Sequence, residues 1–278
     1  MKVLIVEDDA PSRGFMKDTV ESQGFETHVA ENGLVGLEAF KKINPHLVLS
    51  DIQMPEMDGL QLLEEIRKLS PSVIVVMATA FGCEEYAMKA MELKANNYLK
   101  KPVRHAELLP LLKKYASLID AKADLEKKPE IEKKTSFTIK LDSDVEKVPD
   151  MVDWLVKTAG NMLDDSGKLD AKIGLVELLT NAIEHGNLGS TEGEKPANNF
   201  MLSSRKVSIE YKSSDSYCEW LITDEGDGFD WQSCLERLAV DPLGMEGKGL
   251  LCSQFHFSEL EFNPSGNSVR ARKNKSSD

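Results

Sequence analysis

Short apolar runs alternate with longer amphipathic segments through the first 118 residues of the chain. The runs have the length and composition of strands, and the segments between them carry apolar residues at helical spacing. The five predicted strands are Val3–Val6, Glu26–Val29, Leu47–Ser50, Val73–Met77 and Asn97–Leu99. Repeated βα units favour a parallel sheet with helices on both faces. We therefore predict an α/β fold with a five-stranded parallel sheet, whose first, third and fourth strands, the most apolar, are central.

Polar side chains follow four of these strands. Glu7 and Asp8 come after the first strand and Asp51 after the third, while Thr79 ends the fourth and Lys101 follows the fifth. Because ligands of parallel sheets bind beyond the carboxyl ends of the strands, we expect these groups to converge. Neighbouring carboxylates need a cation, and Mg²⁺ prefers oxygen ligands. A hydroxyl and an ammonium can hold phosphoryl oxygens that a carboxylate accepts. Any one of these residues alone could instead be a helix cap or a loop residue.

Four motifs carry a family resemblance: VEDD, SDIQMPEMDG, MATA and YLKKP. Residues 1–120 resemble the receiver domains of two-component response regulators, which have a flavodoxin-like fold. The resemblance implies that Asp51 takes a phosphoryl group from a phosphohistidine of a cognate sensor histidine kinase and that Lys101 contacts this group. It implies a magnesium site whose ligands are Glu7, Asp8, Asp51 and the backbone of Gln53. Thr79 and Tyr98 would form the switch pair, the Tyr98 ring following the hydroxyl inward after phosphorylation.

The chain changes character after this segment. Residues 121–134 are rich in Lys and Glu and contain Pro129, which predicts a linker that could be helical before the proline. Residues 135–278 are predicted to form an α+β sandwich. Its predicted elements are strands Ser136–Leu141, Lys206–Tyr211, Cys218–Asp224, Glu259–Phe262 and Ser268–Arg272, and helices Val148–Leu163, Leu169–His185 and Gly249–Gln254. A polar stretch, Gly189–Ser204, is interpreted as a tolerated insertion in preference to a partner-contact loop.

The predicted helix Leu169–His185 places Glu177, Asn181 and Glu184 on one face. This pattern alone is also typical of a polar helix surface. Further along, DEGDGFD closes a strand, and glycines at 244, 247 and 249 open a helix whose amides suit phosphates. A P-loop is excluded because Gly249, in place of Ser or Thr, follows Lys248, and the dinucleotide-binding glycine pattern does not follow the first strand of a βαβ unit.

The motifs ELLTNAIEHGN, DEGDGFD, DPLGMEGKGL and GNSV, taken together, resemble the ATP-binding fold of gyrase, heat-shock chaperones and histidine kinases. The likeness is greatest to anti-sigma-factor serine kinases and extends over residues 136–273. It implies that Asn181 binds the magnesium of ATP, that Asp224 accepts from the adenine amino group, and that Glu177 is a general base for a substrate serine. The remaining implied nucleotide contacts are Gly226 and Gly228 in the base pocket, Gly247, Lys248 and Gly249 over the phosphates, and Ser268 where the family usually has Thr.

Charge and composition exclude several classes of function. The formal net charge of −13 disfavours non-specific binding to nucleic acid. The four cysteines lack metal-type spacing, and the apolar runs are shorter than the ~20 residues of a membrane helix. We therefore expect a cytoplasmic protein with no nucleic-acid or membrane partner.

Three functions remain open at this level. The first is a response regulator whose output domain, gated by Asp51, uses Mg²⁺ and ATP to phosphorylate an anti-sigma-factor antagonist. The second is a binding module that uses ATP only to shape a surface for a sigma factor or another protein. The third, a hybrid histidine kinase, lacks a histidine in a two-helix segment between the domains. Homodimerisation stays open for all three.

Overall fold

The computed structural model describes residues 1–80, 84–124, 136–189, 204–240 and 247–275. These residues form two compact units, which divide after Ala123. Most of the predicted linker 121–134, most of the polar stretch 189–204, residues 241–246 of the DPLGMEGKGL motif and the Lys248 side chain lie outside the described part.

The first unit is built from five strands and five helices in strict alternation. They are β1 Lys2–Val6, α1 Ala10–Ser22, β2 Glu26–Ala30, α2 Gly33–Ile43, β3 Leu47–Asp51, α3 Gly59–Leu69, β4 Ile74–Thr79, α4 Glu84–Glu92, β5 Asn97–Lys100 and α5 His105–Asp124. All strand pairs are parallel, in the order β2-β1-β3-β4-β5. The predicted five-stranded parallel α/β fold is confirmed, and so are its central strands.

Side-chain caps fix where three helices of this unit begin. Asp9 caps α1 by accepting from the Ser12 amide at 2.9 Å, and Asp58 forms a capping box with Gln61 at the start of α3. Asn32 caps α2. Asp9 is thus the N-cap of α1, whereas its neighbour Asp8 lies between the end of β1 and this cap.

The second unit contains a five-stranded antiparallel sheet. Its elements are β6 Ser136–Asp142, α6 Val148–Thr158, α7 Asp165–Asn181, β7 Lys206–Ser213, β8 Tyr217–Thr223, α8 Trp231–Val240, α9 Lys248–His256, β9 Glu259–Phe262 and β10 Ser268–Asn274. The strand order is β6-β7-β8-β10-β9, and every neighbouring pair is antiparallel. Helices α6 and α9 both pack on α7. The predicted α+β architecture is confirmed.

Aromatic side chains join the sheet of the second unit to its helices. Trp154 of α6 contacts Phe137, and Trp220 of β8 contacts Phe257, the residue after α9. Trp231 stacks on Phe262 with ring centroids 5.6 Å apart. Trp220 and Phe257 are buried and the other rings are half-buried, so these contacts remove large apolar surfaces from water.

Several element bounds differ from those predicted. Helix α7 begins at Asp165 and passes into a π-helical turn, Ala182–Asn187, where the pattern predicted a plain helix. Helix α6 ends at Thr158, before a short 3₁₀ turn, Gly160–Met162. Helix α8 was not predicted, since its apolar residues follow the turn residues of DEGDGFD too closely to form a long pattern. No helix in the described residues combines the length and apolarity needed to cross a membrane.

Candidate functional site

Three carboxylates meet at the carboxyl ends of β1 and β3. Oxygen atoms of Glu7, Asp8 and Asp51 lie within 4.8 Å of one another, with Glu7 and Asp51 buried and Asp8 exposed. Burial, with a further contribution from the Asp51 charge, raises the pKa of Glu7. Its buried Oε2 accepts no hydrogen bond from the described residues. Clustered oxygen donors with an unpartnered acceptor fit a hard divalent cation.

Lys101 joins two of these carboxylates. Its Nζ lies 2.8 Å from Glu7 Oε1 and 2.7 Å from Asp51 Oδ2. Burial opposes the charge of the ammonium, but the hydrogen bonds to Asp51 and Glu7 raise the pKa of Lys101 overall. A fixed cation therefore touches one oxygen of Asp51, and the amide of Ile52 donates to the other at 2.7 Å.

The loop after β3 forms one wall of a cavity beside these carboxylates. Gln53 is exposed and, with Asp8, lines an open cavity of about 240 Å³. At the start of α3, only glycine fits at position 59, because a Cβ there would lie 1.9 Å from the Asp51 carbonyl oxygen. The close approach of α3 to the end of β3 shapes the loop that carries Gln53.

The neighbouring strands bring the predicted switch pair close to the same edge. Thr79 is 1% exposed, and its Oγ1 has no hydrogen-bond partner among the described residues. The Lys101 amide donates to the Thr79 carbonyl at 2.7 Å, which places the two residues side by side. A buried hydroxyl without a partner fits an incoming oxygen ligand. The Tyr98 ring is also buried, so it already lies inward in this structure, and its movement stays a prediction.

The second unit holds a cavity of about 400 Å³ among α7, its π-helical turn, β8, β10 and α9. Six residues of the predicted nucleotide site line it: Asn181, Asp224, Gly228, Gly247, Gly249 and Ser268. The volume is in the range of small-molecule and cofactor sites. Gly226 does not line the cavity, but its amide donates to Asp224 Oδ1 at 2.8 Å. Ser268 lies in register with Thr223, and their hydroxyls are 2.7 Å apart.

Asp224 is held at the end of β8 by close backbone packing. Burial raises the pKa of its carboxyl above the ordinary value. A Cβ on Gly186, in the π-helical turn, would lie 2.4 Å from Asp224 Cγ. Gly186 therefore makes the space in which the Asp224 carboxyl sits.

Glu177 and Asn181 meet the start of α9. A Cβ on Gly249 would lie 3.1 Å from Glu177 Oε2 and 3.6 Å from Asn181 Nδ2. Gly247, with φ of 79°, adopts the left-handed conformation immediately before the helix. Glu177 lies at the edge of the cavity and is not part of its lining.

The first unit is similar to a known protein family and to several known proteins. Residues 3–113 match the family model for the response regulator receiver domain. The chemotaxis protein CheY of Bacillus subtilis is 35% identical over 41% of this chain and 95% of its own length. The chain belongs to the response regulator receiver family. Sporulation initiation phosphotransferase F of the same organism is 32% identical over 42% of this chain and 94% of its own length.

Three further comparisons were found, and the last of them concerns the second unit. The regulatory protein AtoC of Escherichia coli is 36% identical over 45% of this chain, but only 27% of AtoC is covered. A receiver domain structure from Clostridium thermocellum has 29% identity, covers 44% of this chain and 96% of that one, and has a TM-score of 0.41. Residues 141–273 match the family model for the histidine kinase-like ATPase domain. A receiver domain is thus fused to a histidine-kinase-like ATPase domain.

Sequence reasoning missed several residues of the ATPase domain that shape its cavity. Among those that line it are Leu178, His185, Gly186, Phe229, Phe262 and Asn267. Gly186 had a signal, since a glycine inside a helical pattern usually has a packing reason. No sequence signal pointed to Asn187. It is fully buried, accepts a hydrogen bond from the Glu225 amide at 2.7 Å and donates one to Ser143 Oγ at 2.9 Å. It ties the π-helical turn to the loop after β8.

Proposed function

We propose that the receiver domain accepts a phosphoryl group on Asp51 from a phosphohistidine of a cognate sensor histidine kinase. This event controls the ATPase domain, which phosphorylates a serine or threonine of an anti-sigma-factor antagonist and so alters transcription by partner exchange. The observation that carries the kinase assignment is the position of Glu177, next to Asn181 and against Gly249 at the start of α9.

In the receiver domain, Asp51 is the nucleophile and Lys101 contacts the phosphoryl oxygens. Glu7, Asp8, Asp51 and the backbone of Gln53 would hold Mg²⁺, and the bound ion would supply positive charge that stabilises the phosphoryl group. The unpartnered Thr79 hydroxyl donates to a phosphoryl oxygen after transfer, which removes the cost of leaving it unsatisfied in a buried site.

In the ATPase domain, Asp224 accepts from the adenine amino group, and Gly226, Gly228 and Ser268 shape the base pocket. The phosphates lie under Gly247, Lys248 and Gly249, where a helix N-terminus favours negative charge. Asn181 holds the magnesium of ATP. Glu177 removes the proton from the substrate hydroxyl as the γ-phosphoryl group transfers to it.

Phosphotransfer to an antagonist domain tests this proposal directly. The full chain is incubated with ATP, Mg²⁺ and an anti-sigma-factor antagonist, and phosphate on a serine or threonine of the antagonist is measured by mass spectrometry. Tight ATP binding without transfer would contradict the kinase assignment and leave an ATP-dependent binding module. The same assay with acetyl phosphate or fluoroberyllate on the receiver domain measures whether phosphorylation of Asp51 raises or lowers the rate.

A further inference from the structure

Two buried titratable side chains and one half-buried lysine meet in the ATPase domain away from the cavity lining. Asp170 is 7% exposed and His256 is 2% exposed, and the Lys273 side chain is 12% exposed. Lys273 Nζ lies 2.7 Å from Asp170 Oδ2 and donates to the His256 carbonyl at 2.8 Å, while His256 Nδ1 lies 3.4 Å from Asp170 Oδ1. We call these residues the anchor cluster.

The carboxylate of the anchor cluster is ionised. Burial works against the charge, but His256 and Lys273 bring the pKa of Asp170 below its ordinary value. A buried charge is retained only when it is well paired, and removing one partner exposes the full cost of burying the other. The contacts of Asp170 are therefore strong geometric constraints on the elements that supply them.

Each member belongs to an element that also reaches the nucleotide cavity. Asp170 lies near the start of α7, whose last turn carries Asn181. His256 ends α9, which begins beside Gly247. Lys273 lies on β10, which begins at Ser268 and is hydrogen-bonded to β8 and β9 on its two sides. Because the sheet fixes β10, the element whose position depends most on the cluster is α9.

Helices α7 and α9 run antiparallel with close contacts along their length. At one end Asp170 meets His256, and next to this contact a Cβ on Gly174 would lie 2.4 Å from Cε2 of Phe257, the residue after α9. At the other end Gly249 meets Glu177. Within α9, Ser253 Oγ donates to the Gly249 carbonyl at 2.8 Å. A helix rises 1.5 Å per residue and is stiff, so a displacement at His256 is carried about 10 Å to Gly249.

We propose that Asp170, His256 and Lys273 are positioning residues that set the distance between the start of α9 and the Glu177–Asn181 face of α7. They thereby determine the affinity of the ATPase domain for the triphosphate part of ATP and not for its base. This inference rests on the proposed ATP binding. The base side of the cavity is built separately, by Asp224 against Gly186, and neither residue is part of α9 or of the anchor cluster.

The test compares the affinities of ATP and adenosine for the full chain by titration calorimetry with Mg²⁺ present. Asp170→Asn is expected to lower the ATP affinity about tenfold, because small misplacements of phosphate-binding groups have large effects. The adenosine affinity should change less than about twofold, so the ratio of the two affinities falls. Asp170→Glu, which keeps the carboxylate, is expected to recover part of the lost ratio.

Asp153 provides a matched control in the same domain. It is 1% exposed on α6 and pairs with Lys172 of α7 and, at 3.0 Å, with Lys157, but neither lysine belongs to α9. Asp153→Asn therefore removes an equally buried carboxylate and should leave the ratio of ATP to adenosine affinity unchanged. If Asp170→Asn does not fold, the double variant Asp170→Asn with Lys273→Met removes both charges and is measured in its place.

Each possible result either supports or contradicts the positioning role of the anchor cluster. An unchanged ratio in the Asp170 variants, an equal loss for both ligands, or the same loss in Asp153→Asn overturns the positioning role. Wild-type protein that binds adenosine and ATP equally weakly would instead contradict the proposed function, and with it the inference. A selective loss for ATP in the Asp170 variants alone supports the inference.

Discussion

The two candidate sites of this protein are built in opposite ways. In the receiver domain the functional side chains touch one another, since Lys101 lies within 2.8 Å of both Glu7 and Asp51. In the ATPase domain the key positions are glycines, whose missing side chains leave room for other groups. The first site is defined by charge, and the second is defined mainly by shape.

This difference predicts which substitutions each site tolerates. A change of charge at constant shape should abolish the function of the receiver domain. In the ATPase domain, an added methyl group should be as harmful as the loss of a polar atom, because a Cβ on Gly228 would lie 1.8 Å from the Ser265 carbonyl oxygen. The predictions below test this contrast in order of decreasing effect.

The largest effect is expected at Asp51. Asp51→Asn keeps the shape of the side chain but replaces the nucleophilic oxygen, so phosphoryl acceptance from acetyl phosphate should be lost completely. Phosphate-affinity gel electrophoresis measures this. Asp9→Asn is the control, because Asp9 caps α1 and its loss should leave acceptance intact. Residual phosphorylation of the Asp51 variant would show that another residue is the acceptor.

Removal of the proposed general base should have the next largest effect. Glu177→Ala is expected to lower the rate of transfer to the antagonist by about 10² to 10⁴-fold, the usual contribution of such a base. ATP affinity, measured by calorimetry, should change little. Glu184→Ala, in the π-helical turn that follows α7, should retain activity. Full activity of the Glu177 variant would contradict its catalytic role, and unchanged partner binding without any wild-type turnover would favour the binding-module hypothesis.

An added methyl group at Gly186 should weaken nucleotide binding. Gly186→Ala would displace the Asp224 carboxyl, which lies 2.4 Å from the new Cβ position. Overpacking of this kind costs about 1–3 kcal/mol, which corresponds to roughly 5- to 150-fold in ATP affinity. Gly14→Ala in the receiver domain, where the Cβ meets no atom within 4 Å, is the control for handling and folding. Wild-type ATP affinity in Gly186→Ala would show that shape does not define this site.

The smallest effect concerns pH. Because burial raises the pKa of Asp224 above its ordinary 3.8, its carboxylate becomes protonated at a higher pH than other aspartates as the solution is acidified. A hydrogen bond from adenine to a neutral acceptor is weaker by about 1 kcal/mol, so ATP affinity should fall roughly fivefold across this range. Calorimetry between pH 7 and about pH 4 measures the profile. Asp227→Asn, which alters an exposed carboxylate nearby, should leave the pH profile of ATP affinity unchanged. If this substitution shifts the profile, Asp224 is not the group responsible for the fall in affinity.

The contrast between charge and shape also explains what could be read from the sequence. The central position of β1, β3 and β4 and the fold class followed from apolar runs. The charged residues at strand ends stand out because the carboxyl ends of parallel strands lie at one edge of the sheet. Asp8 and Asp9 show the limit: both are acidic and adjacent, and only the family resemblance distinguished them in the sequence. In the structure Asp8 lies with Glu7 and Asp51, whereas Asp9 accepts the capping hydrogen bond from the Ser12 amide.

The ATPase domain was less accessible to prediction. Residues such as Gly186 and Asn187 act through contacts with segments that are distant in sequence, namely the loop after β8 and Ser143. The residues of the π-helical turn that carries them do not differ in type from those of an ordinary α-helix. The sequence pattern therefore predicted a plain helix. Helix α8 was missed because its short apolar pattern starts immediately after a turn.

The aromatic packing has a practical consequence. All three tryptophans, Trp154, Trp220 and Trp231, belong to the ATPase domain, and the receiver domain has none. Trp231 stacks on Phe262, which lines the nucleotide cavity. The receiver domain does contain tyrosines, so it is the tryptophan emission of the intact chain that reports on the ATPase domain alone. A change in this emission after phosphorylation of Asp51 would show that the receiver domain alters the surroundings of a tryptophan in the ATPase domain.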